Sequence, residues 1–190
     1  MGSLSFFDLS RYKGDVLVET GTGMGYGVDY ALNSGIPKVH SCEVYDEVFQ
    51  HVTKRYENDP RVEIYQQSSI YFLDNLLPQI PKDSRIVFWL DAHFPGADFI
   101  THQYKSDDNE INLPLVHEVD IIKKHRAGCS DVILIDDMRI LDPYDRATLE
   151  SLGLFLNYPG LSFLDDFKPT HHIAKYFVHQ GYIELVPVDL

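Results

Sequence analysis

The run DVLVETGTGMGYGVDYALN, residues 15–33, decides the reading of this chain. Asp15 to Thr20 has the β-branched pattern of a short strand that stops at a glycine cluster, and Val28 to Asn33 continues as a helix. Glycines at 21, 23, 25 and 27 let the backbone pass close to a ligand at angles that a Cβ forbids, while the helix behind them presents unbonded N–H groups. Glycine at every second position exceeds what an ordinary strand-to-helix turn needs. Further along, strands are expected at Lys38 to Val44, Arg61 to Tyr65, Arg85 to Leu90 and Asp131 to Ile135. The last two, RIVFWL and DVILI, are nearly all apolar, as in parallel strands covered on both faces. Helical spacing marks Asp46 to Tyr56, through Val48, Phe49, Val52 and Tyr56, as well as Ile70 to Leu77 and Leu115 to His125. FVHQG and YIELVPV, within Tyr176 to Val188, read as two strands around Gly181.

Alternating strands and helices predict an α/β fold: a Rossmann-like, doubly wound, mostly parallel sheet closed by a C-terminal antiparallel hairpin. One domain over residues 1–190 is expected from the length. Hydrophobic residues at 44% and charged residues at 24% match a folded globular protein. A formal net charge of -13 repels phosphate backbones and anionic headgroups, which argues against nucleic-acid and membrane partners. Cys42 and Cys129 lie far apart without metal-binding spacing. The N-terminal stretch lacks a basic segment followed by a long apolar one, so a cytoplasmic location is expected.

A dinucleotide fingerprint would place glycine three residues after Gly23, where Tyr26 stands. Glu19 would repel a pyrophosphate but attract the ammonium group of an amino acid. Glu43 ends the second strand, where a carboxylate can accept hydrogen bonds from both hydroxyls of a ribose. With Glu19, Gly21, Gly23 and Gly25 in this order and Glu43 after strand two, the chain resembles the class I S-adenosylmethionine-dependent methyltransferases. The resemblance implies that S-adenosylmethionine is the cofactor, held by Glu19, Thr20, Gly21, Gly23, Gly25, Glu43, Val44 and Asp91. Gln67, Ser68 and Ser69 follow strand three, where the family places a side chain beside adenine.

LDAH at 90–93 and IDDM at 135–138 end two buried strands, so Asp91, His93, Asp136 and Asp137 converge on the edge that carries the glycine loop. Hard oxygen ligands so grouped suit Mg²⁺ or Mn²⁺, which can lower the pKa of a substrate hydroxyl. His93, with Asp91 beside it, is a candidate general base for that hydroxyl. A plainer account puts Asp91 in the cofactor pocket, Asp136 at a helix cap and Asp137 in solvent. This tetrad, followed by a helix and a strand closing on Ile135-Asp136-Asp137, is similar to the Mg²⁺-dependent sugar O-methyltransferases of the macrocin type. That likeness spans residues 15 to 140 and implies Asp91, Asp136 and Asp137 as metal ligands and a hydroxylated small molecule, such as a sugar, as acceptor. The family has LDxD where this chain has His93, and it covers its substrate with N-terminal segments. Only residues 1–14 precede the first strand here, so a lid is expected from elsewhere or from a homodimer partner.

Residues 95 to 112 form a polar insertion on the functional edge and a candidate substrate loop, with His102, Asp107, Asp108 and Glu110 as further polar groups. His171 and His172 follow a turn-like Lys168-Pro169-Thr170 and are read as surface or substrate-contacting, while Trp89 belongs to the core. Two other functions fit the same residues: a non-catalytic S-adenosylmethionine-binding module, and a metal-dependent enzyme modifying nucleotide sugars.

Overall fold

The computed structural model describes residues 3–93, 113–138, 160–179 and 181–190. Seven strands form one sheet in the order β3-β2-β1-β4-β5-β7-β6. They are β1 (Val16–Thr20), β2 (Lys38–Cys42), β3 (Val62–Tyr65), β4 (Ile86–Leu90), β5 (Val132–Ile135), β6 (His171–Tyr176) and β7 (Tyr182–Pro187). The first five run parallel, and β7 pairs antiparallel with both β5 and β6. Among the described residues the α-helices are α1 (Tyr26–Asn33), α2 (Asp46–Tyr56), α3 (Ser69–Leu76) and α4 (Leu115–Arg126). Strand order reverses between β1 and β4, and in open sheets of this kind the crevice for ligands opens at the carboxyl ends of those strands.

Period-two alternation sorts the strand residues into two layers. Leu17, Val87, Trp89, Val132 and Leu134 face one side with Val28 and Ala31 of α1 and Val52 of α2. Val18, Phe88, Leu90, Ile133 and Ile135 face the other with Phe72 and Leu73 of α3 and Val119 and Ile122 of α4. Burial on both faces is why RIVFWL and DVILI read as continuous apolar runs. In α2 the acids Asp46 and Glu47 sit in the first turn and Lys54 and Arg55 in the last, matching the helix dipole.

A buried ion pair ties the amino ends of β4 and β5 to the end of α4. Arg126 donates from Nε and Nη2 to Asp131, at 2.8 and 2.9 Å, and to the carbonyls of Pro81 and Ser84 at 2.9 and 2.7 Å. Asp131 Oδ1 also accepts the Ile86 N–H at 2.9 Å. Both side chains are enclosed, at 1% and 4% exposure.

The C-terminal hairpin differs from its sequence reading. Its first strand is His171–Tyr176, so Phe177, Val178 and His179, expected as strand, lie beyond its end. His179 and Gly181 adopt φ of 53° and 87°, a left-handed backbone that suits a turn and breaks a ladder. Phe177 and Val178 are exposed accordingly. His171 is buried at the start of β6, its Nε2 2.9 Å from the Asp131 carbonyl oxygen, at the amino edge of the sheet. The expectation of a surface or substrate-contacting histidine is therefore wrong for His171, whereas His172 on the opposite face is exposed. Among the described residues no helix is long and apolar enough to cross a membrane.

Candidate functional site

The loop between β1 and α1 is pinned from both neighbouring strands. Gly21 and Thr22 N–H groups each donate to the Cys42 carbonyl at 3.0 Å, and Asp91 N–H donates to the Thr20 carbonyl at 3.1 Å. Gly21 has φ 84°, and a Cβ there would stand 2.7 Å from the Asp91 carbonyl oxygen, so only glycine fits. At Gly23, φ 51°, a Cβ would meet nothing within 4 Å among the described residues. Gly21 thus lets two backbones close on each other, and Gly23 exposes its backbone to open space. Gly21→Ala is expected to cost about 2–4 kcal/mol from the left-handed backbone plus the clash. Thermal unfolding would then fall by roughly 4–16 °C for a chain of this size, and a shift under about 2 °C would show that the loop yields.

Glu43, directly after β2, turns its carboxylate to this loop. It accepts the Gly23 N–H at 3.1 Å and the Tyr45 N–H at 2.8 Å. Burial raises its pKa, and the N–H donors of Tyr45, Gly23 and Val44 oppose the rise. Val44 is half-buried beside it. Glu19 takes a different place. On β1 it shares a face with Leu17, so it points under α1, 1% exposed, where a Cβ on Gly27 would lie 1.9 Å from its Oε1. It accepts the Ser41 hydroxyl at 2.5 Å, and Ser41 lies 2.6 Å from Thr22 Oγ1. Burial pushes the Glu19 carboxyl up to about 8 against that hydrogen bond.

At the ends of β4 and β5 the four predicted residues do meet. The His93 ring lies between two carboxylates, with Nδ1 3.5 Å from Asp91 Oδ1 and Nε2 paired with Asp137. Asp136 accepts the Asp137 N–H at 2.8 Å, while Asp137 holds a left-handed φ of 53°. Burial alone would lower the His93 pKa, but the hydrogen bond to Asp137 and the charges of Asp91, Asp137 and Asp136 outweigh it and hold the imidazole up at about 9. Burial, then the charge of Asp137, pushes Asp136 up to about 6, and burial raises Asp91 as well.

The expected metal set is arranged otherwise. Among the described residues no group of three or more His, Cys, Asp or Glu side chains is placed to hold a metal ion. The imidazole stands between Asp91 and Asp137, the position from which a divalent cation would relieve their repulsion, so this arrangement does not fit Mg²⁺ or Mn²⁺.

Thr20 and Ser69 are buried, and their hydroxyls oppose the rise to about 7 that burial gives the carboxyl of an acid absent from the sequence reading, Glu118 of α4. Its signal was available: Leu115, Val119 and Ile122 make the apolar stripe of α4, and Glu118 interrupts it on the inner face. Ser68 stands at the position before α3 without a side-chain capping bond, and Gln67 is exposed. The loop at 95–112, with His102, Asp107, Asp108 and Glu110, lies outside the described residues.

No protein-family model matches the sequence, and no curated protein sequence does. Solved structures do resemble it. An O-methyltransferase from Bacillus cereus in complex with SAH matches with a TM-score of 0.62 at 14% identity, covering 98% of this chain and 82% of that one. The SAH-bound methyltransferase PaMTH1 of Podospora anserina gives 0.60 at 14%, covering 98% and 80%. TomG of Streptomyces achromogenes, an O-methyltransferase involved in tomaymycin synthesis and bound to SAM, gives 0.57 at 13%, covering 98% and 81%. The chain has the class I methyltransferase fold, with its mixed seven-stranded sheet and antiparallel C-terminal strands.

Proposed function

We propose that this protein is an S-adenosylmethionine-dependent methyltransferase acting on a hydroxyl group of a small molecule. The observation that carries the reading is the contact between the Gly23 N–H and the Glu43 carboxylate, at a loop whose backbone faces open space. A flat, close-approach backbone beside an acid that can take two ribose hydroxyls suits a nucleoside bearing an amino acid, and the acids of the edge suit its positive charge. S-adenosylmethionine, when bound, supplies a methyl group on a sulfonium. Glu19 then acts on the loop through Ser41 and Thr22, fixing its conformation from below.

Oxygen as the acceptor atom is supported by His93. A hydroxyl is a weak nucleophile, and it gains from a base that removes its proton as the oxygen attacks the methyl carbon and the carbon–sulfur bond breaks. Asp137 fixes the ring by its contact with Nε2, which makes Nδ1, on the Asp91 side, the atom that takes the proton. The imidazole works in its neutral form, which a positive charge brought to the same edge favours by repulsion. A sugar acceptor is supported by the likeness of residues 15 to 140 to sugar O-methyltransferases; no step here runs through the metal those enzymes use.

Calorimetric titration with S-adenosylhomocysteine tests the reading. Wild-type protein is expected to bind it, and Glu43→Ala to weaken binding about tenfold to a hundredfold, the worth of hydrogen bonds to a charged group. Absence of binding in the wild type would remove the methyltransferase reading, and equal affinity in the variant would remove Glu43 from the cofactor site.

A further inference from the structure

The glycines at 21, 23 and 25 have different surroundings, and what stands against Gly25 comes from α2. A Cβ on Gly21 would meet the backbone of Asp91, and one on Gly23 would meet open space. One on Gly25, at φ 82°, would stand 2.7 Å from the Tyr56 hydroxyl and 3.0 Å from its ring. Tyr56 closes α2, buried, and its hydroxyl lies 2.8 Å from the Gly25 carbonyl oxygen and 2.7 Å from Oδ1 of Asp29, in the first turn of α1. The residue before it reaches the same loop: Arg55 Nη1 donates to the Met24 carbonyl at 2.7 Å, and Nη2 pairs with Asp29. The last turn of α2 thus holds two consecutive carbonyls of the glycine loop together with the first turn of α1.

A phenol has one proton, and two oxygens compete for this one. Arg55 offsets the Asp29 charge and so leaves the proton available to Gly25. Burial, then the Asp29 carboxylate, raises the Tyr56 pKa, so the hydroxyl stays a donor. Peptide planarity carries the effect across the loop. With trans bonds throughout the described residues, a carbonyl drawn toward α2 turns the N–H of the same peptide away from it. The Met24 carbonyl sets the Gly25 N–H, which donates to the Thr22 carbonyl at 2.9 Å, and the Gly25 carbonyl sets the Tyr26 N–H, where α1 begins.

We infer that Tyr56, with Arg55 beside it, is a positioning residue for the cofactor: it keeps the glycine loop in the conformation that binds. The inference rests on the methyltransferase reading for the identity of the ligand but not for the brace. Glycines at 21, 23, 25 and 27 give the loop many alternative conformations, and affinity falls with the fraction of molecules in the competent one. Loss of the brace weakens binding and leaves the chemistry of the bound complex alone, a rise in KM at constant kcat.

Tyr56→Phe keeps the ring against Gly25 and removes only the hydroxyl. It is expected to weaken S-adenosylhomocysteine binding about threefold to tenfold, the worth of one neutral hydrogen bond, with KM for S-adenosylmethionine rising in step and kcat within about twofold. Arg55→Met is expected to lose about twofold to fivefold, and Arg55→Lys to keep part of that, since an ammonium lacks the fork that reaches Met24 and Asp29 together. Tyr12→Phe is the control: it removes a buried phenol hydrogen bond, 2.5 Å to Glu184 of β7, away from the loop, and should lower thermal stability with affinity unchanged. In the protein without cofactor, amides of residues 22–29 should exchange with deuterium at least about threefold faster in Tyr56→Phe, and those of β4 at the wild-type rate. Should Tyr56→Phe fail to fold, the two variants of Arg55, whose side chain is exposed, give the same comparison. Wild-type affinity in the brace variants, an equal loss in Tyr12→Phe, or a fall in kcat with affinity intact overturns the inference. Failure of the wild type to bind S-adenosylhomocysteine strikes the methyltransferase reading instead, and the exchange rates still decide the brace.

Discussion

Arg126→Ala is expected to lower the free energy of unfolding by about 3–5 kcal/mol, because it leaves the Asp131 carboxylate buried without its counter-ion. The guanidinium holds Asp131 through two hydrogen bonds and caps the carbonyls of Pro81 and Ser84, so one truncation strands several polar groups at once. The consequence reaches the site. Asp131 also accepts the Ile86 N–H, and this junction fixes the amino ends of β4 and β5, whose carboxyl ends present Asp91, His93, Asp136 and Asp137. Urea unfolding of the wild type and the variant measures the loss directly. Arg126→Met combined with Asp131→Asn should recover part of it, since an apolar side chain and a neutral acceptor for Ile86 leave no buried charge. A loss below about 1 kcal/mol would mean that the pair is solvated in a way its burial contradicts.

The parts of the fold that were legible in the sequence are those set by residue type and period. The glycine loop, the two apolar strands RIVFWL and DVILI, and the meeting of their terminal acids all follow from position on a parallel sheet. What escaped depends on backbone angles and on the third dimension. FVHQG looks like a strand because nothing in its letters announces that His179 takes a left-handed φ. His171 and His172 read alike as surface or substrate-contacting, because nothing in two identical letters says which of them the alternation of β6 turns inward. Glu19 was read as facing a ligand from its place before the loop, although period two puts it with Leu17, under α1. In the acid cluster the positions of Asp91, His93, Asp136 and Asp137 at two neighbouring strand ends were legible, but not which charge would stand among them, since that turns on where the His93 ring lies. Glu118 shows the opposite failing: one acid on an apolar helical stripe is a strong signal, and it carries no motif to draw the eye.

Replacing His93 with alanine is expected to lower kcat by about 10²–10⁴, the usual worth of a positioned general base. The assay is release of S-adenosylhomocysteine with an acceptor that the wild type methylates. Cofactor affinity should change by less than about threefold, because His93 stands at the end of β4 and not in the glycine loop, and a loss confined to kcat marks an interaction made in the transition state. Two features separate a base from a structural histidine. Added imidazole should restore part of the rate in His93→Ala, since the vacated space lies between Asp91 and Asp137, whose carboxylates can hold a free imidazole as they hold the ring. Asp137→Ala should cost less than the loss of His93, because it removes the group that fixes Nε2 while leaving the basic nitrogen in place. If His93→Ala retained a rate within tenfold of wild type, or lost cofactor binding in step with turnover, the imidazole would be a counter-charge for its three aspartates. The proton of the acceptor would then have to leave by Asp91 or by solvent. Such a route favours an acceptor oxygen already acidic enough to ionise near neutral pH, a phenol or carboxylic acid, over an aliphatic hydroxyl, so the same variant that tests the base also narrows the acceptor.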